Sequence, residues 1–241
     1  MLELQNIHWQ LPDGGEILKG ISLSIPDGQL TVVTGPNGGG KTSLAKVIAG
    51  LYAPSEGKIL LNGEDITELS ITDRAKKGIA YAFQQPVRFK GLTVLDLLEL
   101  SAEEKLPRDK VCSLLGEVGL CSREYINREA DSSLSGGEIK RIEIAMIMAR
   151  GTKLSVFDEP EAGIDLWSFQ NLIQVFERMR QNTNGSILII SHQERILNIA
   201  DEIVVIADGK IVNHGSRDEI MPQIMGTASA VDACSKFYNQ D

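Results

Sequence analysis

Residues Gly35 to Thr42 read GPNGGGKT. A glycine, four free positions, then Gly-Lys and a hydroxyl residue is the spacing of a backbone turn that cradles phosphate groups. Successive N–H groups must point inward around the phosphates, and side chains would stand in the way; Gly38, Gly39 and Gly40 leave the approach open. Lys41 would reach the β- and γ-phosphates, and the Thr42 hydroxyl would bind Mg²⁺. Gly35, Pro36 and Asn37 before them and Ser43 after them complete the stretch expected to contact a nucleotide. The start of the following helix adds positive partial charge.

A second stretch, KLSVFDE, ends a mostly apolar strand on Asp158 and Glu159. In open α/β sheets, ligands bind at that end of the strands. Asp158 can hold Mg²⁺ through water, and Glu159 can orient or deprotonate an attacking water. An acidic pair after a strand often only caps a helix; the phosphate loop gives this one its meaning. A third stretch, SILIISHQERIL, carries His192, one of three histidines. On its own it leaves a metal ligand, a catalyst and a plain loop residue all open.

These groups need elements to position them. LTVVT (Leu30–Thr34) reads as a buried strand before the glycine loop, and Lys41 to Ala49 as a helix closed by Gly50. LELQNIHW and ISLSI alternate apolar and polar residues, as half-buried antiparallel strands do. GKILLNGEDI is a strand with a turn at Asn62-Gly63, and GIAYAF a further short strand. From Thr93 to about Gly119 the pattern is helical, and SGGEIKRIEIAMIMAR is a helix opened by Ser135. Strand KLSVFDE, helix DLWSFQNLIQVFERMR, strand SILIIS, short helix RILNIAD and hairpin EIVVIADGKIV follow. Alternating strands and helices predict a parallel sheet covered on both faces. The helical block from Phe89 to Ser135 interrupts that alternation as an inserted subdomain.

Length and charge limit the alternatives. A chain of 241 residues with 42% hydrophobic and 24% charged residues suits one sizeable α/β domain. No apolar run approaches the roughly 20 residues that span a bilayer. The opening MLELQNIHWQ has no signal-peptide pattern, so a cytoplasmic protein without direct membrane insertion is expected. A net charge of −9 argues against nucleic-acid binding. Cys112, Cys121 and Cys234 form no CxxC pair and are expected to be free thiols.

LSGGE, Leu134 to Glu138, resembles the signature of ABC ATPases, and the resemblance covers about residues 1–220 with the motifs in order. It implies an α/β fold of the P-loop ABC ATPase type, with a mostly parallel core sheet, an N-terminal antiparallel β subdomain and an inserted helical subdomain. The single domain would divide into a core (1–88 and 136–222), a helical insert (89–135) and a tail (223–241). Gln84 falls on the Q-loop position, a nucleotide contact and Mg²⁺ ligand beside Thr42 and Asp158. EAGID falls on the D-loop, ending on Asp165. His192 falls on the switch histidine, which would donate a hydrogen bond to developing phosphate charge. Lys41, Glu159 and His192 would then carry catalysis. Ser135, Gly136, Gly137, Glu138 and Asp165 would contact ATP held by a second subunit, in a two-fold, head-to-tail, ATP-dependent dimer. The chain departs from the common pattern in three places. Gly39 stands where serine is usual, KTS replaces KST, and Leu11 stands where an aromatic stacks on adenine, which weakens base stacking. Alternation turns the nearby Trp9 toward the core.

AFQQPVRFKG, SGGEIKRIEI and SHQERIL further resemble SufC-type ATPases of the SUF iron–sulfur cluster assembly machinery. Two features depart from that likeness: Pro160 in DEPEAGID is like transporter ATPases, and the helical block is shorter than usual, as in a divergent or minimal SUF branch. The first likeness implies an ATP-hydrolysing, Mg²⁺-dependent subunit that remodels a SufB- or SufD-like scaffold docked from Pro86 through the helical block. The second implies the cytoplasmic ATPase of a membrane importer, docked at the same surface. A non-hydrolytic ATP-gated module is disfavoured by the presence of Glu159 and His192.

Overall fold

The computed structural model describes residues 1–85, 87–182 and 185–228. Leu2–Gln10 (β1) and Glu16–Ile25 (β2) pair antiparallel. In β1 the buried positions run Leu2, Leu4, Ile7, because a register shift at Asn6, φ 49°, inserts one residue and flips the alternation. That shift turns Trp9 inward, where its ring stacks on Tyr52 at 4.4 Å between centroids. Leu30–Thr34 (β3) and Lys41–Ala49 (α1) follow, then Glu56–Leu61 (β4) and Glu64–Asp65 (β5). The turn between β4 and β5 has positive φ at Asn62 and Gly63, as a tight right-twisted hairpin requires. This antiparallel sheet runs β2-β1-β4-β5.

Ile71–Lys76 (α2) leads into Ile79–Ala82 (β6). The inserted block then comprises Phe89–Thr93 (β7), Val94–Ala102 (α3), Arg108–Glu117 (α4), Ser122–Tyr125 (α5) and Glu129–Ala130 (β8). It is not purely helical: β7 and β8 pair antiparallel and close its base. Thr93 starts α3 with a capping box to Asp96, and Leu97, Leu98, Val111 and Leu115 are among the residues the block adds to the core.

The chain returns through Gly136–Arg150 (α6), Leu154–Asp158 (β9), Leu166–Asn182 (α7) and Ser186–Ile190 (β10). Glu194–Leu197 (α8), Glu202–Ala207 (β11), Lys210–Ser216 (β12) and Arg217–Ala228 (α9) complete it. Helix α9 spans the 222–223 point at which the sequence divides core from tail. Cys234 and the rest of the tail from residue 229, like Pro86, lie outside the described residues.

The main sheet runs β12-β11-β3-β10-β9-β6, parallel except for β12. Strands β3, β9 and β10 are buried at every position, and their alternation feeds two cores. Phe157, Ile187 and Ile189 face α3, α6 and α7; Val156, Leu188 and Ile190 face α1 and the antiparallel sheet. Each such side chain contributes about 1.5–3 kcal/mol by burial. Ile190 pairs in register with both Val33 and Asp158. The C-terminal ends of β3, β10 and β9 therefore lie side by side and deliver Gly35, Ser191 and Glu159 to one edge.

Candidate functional site

The phosphate loop is packed tightly against the sheet edge. Gly35 has φ 133°, and a Cβ there would fall 2.0 Å from the Ile206 carbonyl oxygen, so only glycine fits. At Gly39 a Cβ would meet Ile206 O at 2.9 Å and Pro36 O at 3.0 Å, a local reason for glycine where serine is common. Gly40 caps α1 without any side-chain hydrogen bond, and no acidic residue occupies the first turn. The helix thus opens on free N–H groups and uncompensated positive potential, which is what an anion site needs.

Lys41 is 6% exposed, and its Nζ donates to Gly35 O at 2.8 Å and Pro36 O at 2.9 Å. Burial pushes its pKa down, against the opposing charges of Glu159 and Asp158. A buried ammonium inside a loop of carbonyls is a charge that a phosphate would neutralise.

Asp158 ends β9, 2% exposed, with both oxygens engaged. Thr42 Oγ1 donates to Oδ1 at 3.0 Å, and the Tyr81 hydroxyl donates to Oδ2 at 2.8 Å. Burial, then the Asp158 charge, pushes the Tyr81 phenol well above its ordinary pKa, so it remains a donor. Hydroxyl and carboxylate oxygens held this close are the hard donors that suit Mg²⁺. The loop and its neighbours therefore fit a nucleotide triphosphate with its magnesium: Thr42 and Asp158, with Gln84 nearby, would hold the ion, and it would supply charge neutralisation on the phosphates.

Glu159 follows directly, at φ 46°, with its N–H bonded to Ile190 O at 3.0 Å. Gln84 Nε2 donates to Glu159 Oε2 at 2.6 Å, so the second residue after β6 meets the first residue after β9. His192 is exposed beyond β10. On either side of it, Ser191 is fully buried and Gln193 N–H donates to Ser191 Oγ at 3.0 Å.

The LSGGE residues form a separate centre. Ser135 caps α6 in a capping box: Glu138 N–H donates to Ser135 Oγ at 3.3 Å, and Ser135 N–H to Glu138 Oε2 at 2.7 Å. The Tyr125 hydroxyl also donates to Glu138, and Arg128 lies 3.6 Å away. Burial alone would raise the Glu138 pKa; the bonds from Tyr125 and Ser135 outweigh it and hold the carboxyl below the ordinary glutamate value. A Cβ on Gly136 would lie 3.6 Å from Gly163 O, which sets the signature beside EAGID. Asp165 accepts from Phe169 N–H at 2.9 Å and opens α7. The hydrogen bonds of Ser135–Glu138 stay among Tyr125, Arg141 and α6 itself, with none to the phosphate loop of the same chain.

Four participating residues were not singled out from sequence. Tyr81 fixes Asp158; its one signal is a polar-tipped aromatic near the end of a buried strand. Glu161 accepts from the Ser191 hydroxyl. Lys140 and Glu143 contact the backbone of Phe83. Contacts between elements distant in sequence create the roles of the last three, and spacing carries no trace of them.

Anion-directed backbone at α1, with hard oxygen donors at the end of β9, defines the class as a P-loop nucleotide-binding domain. The family model described as ABC transporter matches residues 18–162, more than half of the chain. The chain belongs to that family, and is one of its ATP-binding domains. It is 36% identical over 228 residues to an uncharacterized ABC transporter ATP-binding protein of Methanocaldococcus jannaschii, covering 91% of this chain and 90% of that one. It is 30% identical over 234 residues to the probable ATP-dependent transporter ycf16 of Cyanophora paradoxa, covering 90% and 89%. It is 33% identical over 223 residues to the sulfate/thiosulfate import ATP-binding protein CysA of a Synechocystis strain, covering 89% of this chain and 62% of that one. Among solved structures, a nucleotide-free ATP-binding cassette from an ABC transporter superimposes with TM-score 0.81 at 26% identity, covering 100% of this chain and 99% of that one. A dimeric cassette bound to ADP and phosphate gives 0.79 at 22% identity, covering 90% and 99%.

Proposed function

We propose that this chain is the Mg²⁺-dependent ATPase subunit that drives a membrane importer. The observation that carries the ATPase part is the Gln84–Glu159 contact beside Thr42–Asp158 and Lys41, a general base held next to the cation and phosphate donors. In this reading Glu159 takes a proton from a water that attacks the γ-phosphorus. The bond to the β–γ bridging oxygen breaks, giving ADP and phosphate. His192 donates a hydrogen bond to the developing charge, and Lys41 neutralises it. The helix start at Ser135–Gly137 would close on the nucleotide of a second copy, with Asp165 and Glu138 supporting it. ATP would then favour a closed dimer. The dimeric cassette of similar fold supports that arrangement.

The partner would sit in an apolar groove lined by Phe83, Val87, Phe89, Leu97, Ile139 and Met146. Phe83 and Val87 are 38% and 47% exposed there, and neighbouring exposed apolar residues are what a partner would cover. The names of the relatives support a transporter subunit at the cytoplasmic face as that partner. Among the described residues no helix is long and apolar enough to cross a membrane, so a second chain would have to. A second reading, a SufC-type subunit on a SufB- or SufD-like scaffold, is favoured by the SGGEIKRIEI run, whose Lys140 and Glu143 hold the edge of this groove.

Mild purification of the native complex, with mass spectrometry of what stays bound, separates the two. A multi-span protein retained only in detergent supports the importer. A scaffold co-purifying without detergent moves the assignment to cluster assembly. A wild-type chain that fails to hydrolyse Mg-ATP with either partner present would sink both.

A further inference from the structure

Lys140 and Glu143 lie one turn apart on α6, and the chemistry above uses neither. Lys140 is 2% exposed and its ammonium donates to Phe83 O. Phe83 N–H donates to Glu143 Oε1 at 3.3 Å, and Glu143 Oε2 lies 3.4 Å from Lys140 Nζ. One ion pair therefore takes both backbone polar groups of one residue. Phe83 is where they are needed: the ladder of β6 with β9 ends at Ala82–Phe157, so the next peptide has no strand partner. Burial pushes the Glu143 carboxyl above its ordinary pKa, against the nearby Lys140 charge.

A buried Lys–Glu pair is a poor source of stability, because desolvating both charges offsets their attraction. Apolar residues of similar size often serve as well. What the pair gives is position. Two residues before Phe83, Tyr81 holds Asp158; one residue after it, Gln84 holds Glu159. One turn before Lys140 on α6 stands the Ser135–Gly137 helix start. Arg88 ties the same segment a second time, donating to Asp131 O at 2.6 Å and Leu134 O at 3.1 Å.

We propose that Lys140 and Glu143 form a joint that couples the signature end of α6 to Gln84 and Glu159 through the backbone of Phe83. Closing of Ser135–Gly137 on a facing nucleotide and setting of Glu159 in the chain's own site then become one event. The pair consists of positioning residues, and their role rests on the ATP-dependent dimer proposed above. Phe83 and Glu143 also line the apolar groove, so a partner seated there would press on the same joint.

The test replaces both charges at once, so that neither is left buried alone. Lys140→Met/Glu143→Leu is compared with the parent chain in four measurements: thermal stability, affinity for a non-hydrolysable ATP analogue, turnover, and the ATP concentration for half-dimerisation in a Glu159→Gln background. The expected result is unchanged monomer affinity for the analogue, with thermal stability lowered only by the two Phe83 backbone bonds that are lost. Turnover falls by about three- to thirtyfold and the dimerisation midpoint rises by a similar factor. Lys140→Met/Glu143→Gln, which keeps an acceptor for Phe83 N–H and leaves no charge buried alone, should fall between the parent and the first double variant in turnover and dimerisation midpoint; it carries the test if the first double variant does not fold, and parent-level values in it overturn the proposal. Unchanged turnover and dimerisation in the double variant overturn the proposal, as does loss of analogue affinity in step with turnover, the mark of a merely structural pair. A parent chain that neither hydrolyses ATP nor dimerises as Glu159→Gln overturns the dimer reading itself, and that failure shows before any joint variant is made.

Discussion

Gln84 and Glu159 are 75 positions apart in the chain, yet their side chains meet at 2.6 Å. They meet because β6 and β9 are parallel neighbours that end at the same level. The contact takes Glu159 Oε2, while Oε1 accepts no hydrogen bond from any described residue and is left to orient a water. Glu159 also sits in left-handed backbone, a conformation that residues other than glycine hold mainly where surrounding structure enforces it. Glu159→Gln keeps the shape and the bond from Gln84 but removes the base. Nucleotide affinity should persist and turnover should fall by about 10²- to 10⁴-fold. With hydrolysis blocked, an ATP-bound dimer should accumulate. Sizing at saturating ATP reads it out; a variant that stays monomeric, or still hydrolyses normally, refutes the role.

His192 stands exposed between two anchored neighbours, the buried Ser191 and Gln193, whose N–H is held by Ser191 Oγ. The backbone is fixed while the imidazole projects outward, which is how a group reaching a bound phosphate should be mounted. His192→Ala is therefore expected to lower turnover by about 10²- to 10³-fold, the cost of losing one donor to developing charge. The affinity for ATP should barely change. Single-turnover kinetics with an equilibrium binding measurement separate the two. Near-normal turnover would return His192 to a plain loop residue.

The fold and much of the candidate site were legible because their signals are local. Runs such as LTVVT and SILII declare buried strands, and each glycine of GPNGGGKT meets a constraint within the loop or at the strand end beside it. The β7–β8 pair was not legible, since EA at Glu129–Ala130 is too short to show alternation. Helix α2 is too short to show periodicity. Tyr81, Glu161 and the Lys140–Glu143 pair were invisible for a different reason. Their partners are Asp158, Ser191 and Phe83, each brought close only when strands or helices pack. The Asn6 shift shows the same limit, because one inserted residue reverses which face of β1 is buried without altering its composition.

Tyr81 and Asp158 form the second such relationship. The phenol donates to Asp158 Oδ2 at 2.8 Å, and among the described residues Thr42 alone holds Oδ1. Tyr81→Phe leaves a buried carboxylate oxygen without its donor, at a cost of about 1–3 kcal/mol. Urea denaturation should show that loss. Asp158 would also be held at one oxygen only, so the Mg²⁺ concentration for half-maximal turnover should rise while maximal turnover changes less. Wild-type stability together with an unchanged Mg²⁺ requirement would show that Thr42 suffices.

Glu161 gives the clearest dependence on pH. Its Oε1 accepts from the Ser191 hydroxyl, while its buried Oε2 has no partner among the described residues. Burial pushes its pKa above the ordinary 4.5, and repulsion from Glu159 adds to that; the Ser191 bond and the charge on His192 oppose it. A carboxyl with a raised folded-state pKa binds its proton more tightly in the folded chain. Its contribution to stability is therefore complete below about 4.5 and is lost as pH rises through the raised value. Glutamine at this position keeps an acceptor for Ser191 and never acquires the buried charge. Glu161→Gln should thus be more stable than the parent at about pH 8, and the difference should close as pH falls toward about 5, no more steeply than ~1.4 kcal/mol per pH unit for a single proton. Glu161→Ala, which also removes the Ser191 acceptor, should gain less. Urea denaturation of the three proteins across that range measures the difference directly. A difference that is flat with pH, or that widens toward acid, would mean that the Glu161 carboxyl is ionised in the fold at no cost, with a donor or a water already satisfying Oε2.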